Sequence, residues 1–297
     1  MNYRFECPLC ESNKFKIIEK ISTENNKLSK IMDNQYKFES YLKQNNYIYE
    51  LRFCLNCGTR YQTFVLDEKE SKDFYSQNID PRKSLIKQVT FYKKNILLRK
   101  KTVKFIKNLL SVADKDREHE MLEIGAGWGF FSDISSQFNM RCTTLEISKE
   151  RIDFHNLLNL NTISSFEEAY DKNLKFDIIY SNQVIEHISD LKSFFINCSN
   201  LLKKNGFLIA EYPSYNNLFH YIFKKDNYFD DMRTKALEHL QLISDKGVNE
   251  ILEEFETLQN IDTFPIRKFG DRIKFFLQLI TPSRYRGKGF MVVKKIK

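Results

Sequence analysis

Residues 121–131 read MLEIGAGWGFF. Gly125, Gly127 and Gly129 follow a short apolar run and precede a stretch of helical character. Glycines at such a place let the backbone turn sharply and let a ligand approach without a Cβ in the way. Glu146, in CTTLEIS, stands 21 residues after Gly125, at the end of the next apolar run. A carboxylate there can accept both hydroxyls of an adenosine ribose. Dinucleotide sites space their glycines Gly-x-Gly-x-x-Gly and seat pyrophosphate on the helix N-terminus. Here the spacing is Gly-x-Gly-x-Gly, and Glu123 precedes the first glycine by two. A carboxylate beside the loop would repel pyrophosphate and attract a sulfonium or an ammonium. The pattern therefore favours S-adenosylmethionine over a nicotinamide dinucleotide.

A second group is thiolate chemistry. Cys7-Pro-Leu-Cys10 and Cys54-Leu-Asn-Cys57-Gly58 are two CxxC turns. Two such turns can close a tetrahedral site around structural zinc, and with four protein ligands the ion keeps no open position for catalysis. The 43 intervening residues exceed the usual span of a zinc ribbon. Disulfides are the alternative; six cysteines without an opening signal peptide disfavour them and point to a reducing, cytoplasmic setting. Cys142 and Cys198 lie in apolar contexts and read as small core residues.

The elements that must position these groups are legible as periodicities. Tyr47–Phe53 and Arg60–Leu66 alternate and read as strands flanking CLNC. Lys83–Leu110 reads as a helix with Ile86, Val89, Ile96, Leu97, Val103, Ile106 and Leu110 on one stripe. From Met121 strands alternate with helices: strands at Met121–Ile124, Arg141–Ile147, near Thr162–Ser164, Phe176–Ser181 and Phe207–Tyr212; helices at Gly129–Gln137, Lys149–Asn159 and Leu191–Leu202. A helix at Asp245–Thr257 and strands near Leu258–Pro265 and Gly289–Ile296 complete the chain. The expected fold is α/β: a doubly wound, mostly parallel seven-stranded sheet with a small N-terminal zinc-ribbon-like module. The expected divisions are a zinc module over 1–75, a helical connector over 76–117 and a catalytic domain over 118–297, with an aromatic-rich insertion at 213–240.

Residues 118–297 resemble the class I S-adenosylmethionine-dependent methyltransferase superfamily. The resemblance rests on ExGxGxG at Glu123–Gly129, the acidic strand end at Glu146, FDIIYSNQVIEHISD at Phe176–Asp190, LLKKNGFLIAEYP at Leu201–Pro213, and EHLQLIS at Glu238–Ser244. It implies that Glu123, Gly125, Ala126, Gly127 and Trp128 form the cofactor loop, Glu146 binds the ribose, Ile147 lies against the adenine and Asn182 faces the methionine part. The family often has Asp after strand three; ISSFEEA stands there instead, so Ser165 and stacking by Phe166 are expected to replace it. The N-terminal cysteine module is also similar to that of bacterial methyltransferases of sugar and antibiotic pathways.

Methyl transfer from a sulfonium is a direct displacement that needs alignment and, for a hydroxyl acceptor, a base. His187, in IEHI, is the first candidate because imidazole titrates near neutrality; a structural histidine is the alternative. Glu186 is expected to support it, and His239 is the second candidate. His220 and Tyr212 are expected to line the acceptor pocket. The place after strand four reads SNQVIEH, without the Asn/Asp-Pro-Pro-Tyr run of nucleobase amino-methyltransferases, which leans toward oxygen.

Composition frames these readings. The 297 residues suit one large and one small unit. A formal charge of +8 fits either a lysine-rich surface or a footprint for anionic partners, and no apolar run is long enough for a membrane span. The expected activity is O-methylation of a sugar, glycan precursor or related small metabolite, with a nucleotide-linked sugar among the acceptors. The alternatives are RNA methylation through the basic surface and a degenerate cofactor-binding regulator.

Overall fold

The computed structural model describes residues 2–22, 47–67, 69–71, 80–110, 117–213, 237–253, 258–262 and 288–296. Strands β1 (Asn2–Tyr3), β2 (Phe15–Ser22), β3 (Ile48–Cys54), β4 (Arg60–Gln62) and β5 (Phe64–Val65) come first, then the long helix α1 (Pro81–Leu110). The alternating part runs β6 (His119–Ile124), α2 (Phe130–Ser136), β7 (Met140–Leu145), α3 (Lys149–Leu157), β8 (Asn161–Ile163), α4 (Phe166–Asp171), β9 (Phe176–Asn182), α5 (Leu191–Leu201) and β10 (Leu202–Pro213). The last elements are β11 (Gln241–Leu242), α6 (Asp245–Glu253), β12 (Leu258–Asp262) and β13 (Lys288–Lys295).

The central sheet has the order β12-β13-β10-β9-β6-β7-β8. Strands β8, β7, β6, β9 and β10 are parallel neighbours; β13 runs antiparallel to β10, and β12 antiparallel to β13. β6 and β9, the middle strands, are buried along nearly their whole length, and each carries an apolar stretch, Met121 and Leu122 in one and Ile178, Ile179 and Tyr180 in the other. One face packs Leu122, Ile179 and Leu208 against Phe194, Phe195 and Ile251. The other packs Met121, Ile178 and Ile209 against Val103, Ile106 and Phe131. Truncating a side chain such as Leu122 to alanine would cost roughly 2–5 kcal/mol.

The structure departs from the sequence reading in particular places. α1 buries only the end of its expected stripe, Val103, Ile106 and Leu110, while Ile86 and Leu97 are exposed. Arg60–Leu66 is broken into two short strands, and β2, where Phe15, Ile17, Ile18 and Ile21 are interleaved with Lys and Glu, is an additional strand. The small sheet has the order β11-β4-β3-β2, so Gln241–Leu242 pairs with β4. Cys7, Leu9, Cys54, Cys57 and Tyr61 share a core with Ile243, Val248 and Ile251 of the C-terminal part. Among the described residues no helix is long and apolar enough to cross a membrane. Most of the 213–240 insertion, His220 included, lies outside the described residues.

Candidate active site

The parallel strands β6, β7 and β9 all end at one edge of the sheet, where open α/β folds bind ligands. β6 leads into Gly125, Gly127 and Gly129, with φ of 64°, 59° and 74°. Side chains rarely adopt such values. A Cβ on Gly125 would meet Val184 at 2.6 Å, and one on Gly127 would meet Gln88 at 2.8 Å. Gly129 then caps α2.

Glu146 sits buried just past β7. Its Oε2 accepts from the Gly127 N–H at 2.9 Å, and its Oε1 accepts from the N–H groups of Ile147 and Ser148. Arg151 approaches at 3.4 Å. The carboxylate is therefore locked against the glycine loop, facing it across the strand ends. Ile147, next in the chain, is half exposed. Asn182 ends β9, and its side-chain Oδ1 is buried without a hydrogen-bond partner among the described residues.

Other residues expected at the cofactor make contacts within the protein. Glu123 is buried and accepts from the Ser132 hydroxyl of α2 at 2.6 Å. Burial pushes its carboxyl up to about 7, against the opposing pull of Ser132 and Arg99. It lies within the core rather than bordering the loop as a bare charge. Trp128 is buried, donates from Nε1 to Ser84 of α1 and packs edge-on to Phe154. Ser165 accepts from the Glu168 N–H and caps α4, and Phe166 packs its ring against Phe194. Ala126 is buried within the loop.

Two features of this loop escaped the sequence reading. His155, wholly buried on α3, places Nε2 2.9 Å from the Gly127 carbonyl. Gln88 and Ser84 reach the same loop from α1. No local signal announces such contacts, because they join residues 28 to 44 apart.

A sharp turn follows β9. Gln183 adopts φ of 57°, a costly value for a side-chain-bearing residue, and its N–H donates to Glu211. The next turn, Ile185–His187, carries Glu186 and His187, and His239 comes in from the far side. The His187 and His239 rings meet edge to face at 4.9 Å. Glu186 is fully buried, with Oε1 3.8 Å from His187 Nε2, and neither carboxyl oxygen has a hydrogen-bond partner among the described residues. Burial, with the nearby Glu238, pushes its carboxyl up to about 8. The donor atoms of Glu186, His187 and His239 all lie within 4.8 Å, a spacing fit for sharing a proton or a cation. Tyr212 is buried in the core, its hydroxyl also without a partner among the described residues.

The four N-terminal cysteines converge as well. Cys7 and Cys57 lie with sulfurs 3.6 Å apart, Cys10 and Cys54 with sulfurs 3.5 Å apart, and all four within 4.8 Å. Sulfurs at the corners of a tetrahedron with bonds of about 2.3 Å stand roughly 3.8 Å apart. The donor set and spacing fit zinc. No cysteine among the six is in a disulfide.

A glycine turn after the first central strand, an acidic residue ending the second, and a mostly parallel sheet closed by an antiparallel strand define the Rossmann-like class I methyltransferases, enzymes that use S-adenosylmethionine. Residues 97–256 match the family described as Methyltransferase domain, and the chain belongs to that family. It is 33% identical over 96 residues to the ubiquinone biosynthesis O-methyltransferase of Pelagibacter ubique, covering 30% of this chain and 40% of that protein. It is 30% identical over 126 residues to a malonyl-[acyl-carrier protein] O-methyltransferase of Ilyobacter polytropus, covering 40% of this chain and 45% of that protein. The chain thus spans less than half the length of these curated relatives. The fold is shared with magnesium protoporphyrin IX methyltransferase of Synechocystis PCC 6803 with bound SAH (13% identity, 77% of this chain and 100% of that one, TM-score 0.52). It is shared too with the plantazolicin methyltransferase BpumL in complex with SAH (14% identity, 73% and 91%, TM-score 0.52).

Proposed function

We propose that the chain transfers the methyl group of S-adenosylmethionine to an oxygen of a small metabolite. The observation that carries this reading is the facing pair of Glu146 and the glycine loop, with the side-chain carbonyl of Asn182, unpartnered among the described residues, beside it. Ribose hydroxyls would exchange with the Arg151 and Gly127 donors on Glu146. The Asn182 Oδ1 would accept from the ammonium of the methionine part, which relieves its buried, unpaired state. Oxygen as the acceptor atom is supported by the names of the two relatives, both O-methyltransferases. A sugar or nucleotide-linked sugar acceptor rests on the resemblance of the N-terminal module and stays part of the proposal.

In this reading His187 would take the acceptor's proton as the methyl group arrives, with the His239 ring edge to face against it and Glu186 Oε1 3.8 Å away. A second reading is favoured by the two oxygens of Glu186, which have no hydrogen-bond partner among the described residues: the trio would bind a divalent cation that polarises the acceptor hydroxyl. The four cysteines would hold one structural zinc.

The test is calorimetry with S-adenosylhomocysteine, followed by a labelled-methyl screen against nucleotide sugars, small hydroxylated metabolites and RNA. Submicromolar to micromolar binding, lost about tenfold or more in Glu146→Ala, is expected. Binding of a nicotinamide dinucleotide instead, or label transferred only to RNA, would overturn the reading. On the true acceptor, His187→Ala should lower turnover about a hundredfold while cofactor affinity holds. Activity lost on chelation and restored by magnesium or manganese would select the second reading.

A further inference from the structure

The module that carries the cysteines is tied by side chains to the very segments that carry His187 and His239. Gln62, on β4, donates from Nε2 to the His239 carbonyl at 2.7 Å. Its backbone N–H donates to the Leu240 carbonyl, and its Oε1 accepts from the Leu237 N–H and the Tyr47 hydroxyl. Leu240 in turn donates its N–H to the Glu186 carbonyl at 2.8 Å. Gln241, in the strand paired with β4, donates from Nε2 to the carbonyls of both Ile185 and Ile188, at 2.7 and 2.8 Å. Arg4, three residues before the first cysteine, donates to Gln241 Oε1 at 2.9 Å and to the Ser189 carbonyl at 2.6 Å. Below the strand, the Ser244 hydroxyl donates to the Cys57 carbonyl, inside the second CxxC turn.

These contacts form one continuous frame. The turn carrying Glu186 and His187 offers the carbonyls of residues 185, 186, 188 and 189, and each is held by a donor from Arg4 or the 240–241 strand. His239 lies two residues before β11, which pairs with β4, and its carbonyl is held by Gln62 of β4. A two-residue strand has little stability of its own. Its place, and so the place of His239, is set by β4 and hence by the folded module. Misplacement of a reacting group by about 1 Å can cost about a hundredfold in rate.

We propose that the four-cysteine module is a positioning device for the acceptor side of the site, with Arg4, Gln62 and Gln241 as the positioning residues that set His187 against His239. This rests on the reading of those histidines as facing the acceptor. A module serving only stability, or only recognition of a partner, would not need Arg4 on the Ser189 carbonyl of this turn and Gln62 on the carbonyl of His239.

The experiment measures Gln241→Leu and Arg4→Gln in the full chain. Gln241→Leu removes both donors to the turn. Arg4→Gln keeps the backbone bond from Arg4 to Thr63 and shortens the side-chain clamp, so it serves if Gln241→Leu fails to fold. The readouts are the imidazole nitrogen resonances of His187 and His239, affinity for S-adenosylhomocysteine, and turnover. Expected are shifted resonances for both histidines, a tenfold or greater fall in kcat, and cofactor affinity within about twofold of wild type. Folded variants with unmoved imidazole resonances and unchanged kcat would overturn the proposal. The resonances report the coupling whether or not the methyl-transfer reading stands; that reading alone fails if the wild-type chain binds no S-adenosylhomocysteine.

Discussion

His155 Nε2–H donates to the carbonyl of Gly127 across a buried distance of 2.9 Å, tying helix α3 to the centre of the glycine loop. A carbonyl can only accept, so the ring carries its proton on Nε2. Nδ1 then accepts from the Thr144 hydroxyl, 3.0 Å away. The imidazole is thus a rigid, neutral strut, and burial holds its pKa below the ordinary value.

Removing the strut should loosen the loop. His155→Leu leaves the Gly127 carbonyl buried without its donor, a loss of about 1–3 kcal/mol. Thermal melts should show that destabilisation, and calorimetry should show weaker binding of S-adenosylhomocysteine, by about tenfold. His155→Gln, which can keep a donor, should recover part of both. Wild-type cofactor affinity in a folded His155→Leu chain would show that the strut does not serve the loop.

Glu123 predicts a pH dependence of stability. Its folded-state carboxyl is pushed up to about 7, above the ordinary 4.5, because it is buried. Between these values the folded chain keeps a proton that the unfolded chain has released. Stability therefore falls as pH rises from 4.5 to about 7, and the loss is complete above that range. Glu123→Gln should remove this contribution. Plotted against pH, the difference in stability between variant and wild type should grow in favour of the variant across that window and then level off. Denaturant titrations giving parallel curves would refute the shift.

Metal content tests the cysteine cluster. Freshly purified, reduced protein should contain about one zinc per chain, and Cys54→Ser should lose it. Because zinc binding energy is folding energy in such modules, the variant should also lose the protection of amides in β3 and β4 from hydrogen exchange. Elemental analysis finding no bound metal in the reduced wild type would rule the site out.

β6, β9 and β10 were legible in the sequence because strands of a parallel sheet covered on both faces carry apolar stretches, and such stretches are local, whereas β8 is three residues long and only weakly marked. The same locality exposed the glycine turn, since three glycines with positive φ in five residues are a statement about backbone sterics alone. β2 was illegible because adjacent Ile17 and Ile18 break the alternation, where its register on β3 shifts. The stripe of α1 was overread, since periodicity marks which residues could face a core but not how far along the helix the core extends.

What the sequence determined by itself was therefore the class of fold, the glycine loop with its acidic partner, and the two CxxC turns: each is a short pattern with its own steric or ligand chemistry. Tertiary structure alone decided which distant groups meet. It brought His239 within ring contact of His187, set Gln62 and Gln241 between the cysteine module and that pair, placed His155 under Gly127, and drew Glu123, Ser165 and Phe166 into structural contacts. Hydrogen bonds and ring contacts between residues tens of positions apart follow from how β4, β11 and the central sheet pack. That packing depends on the whole chain, so no local spacing can encode it.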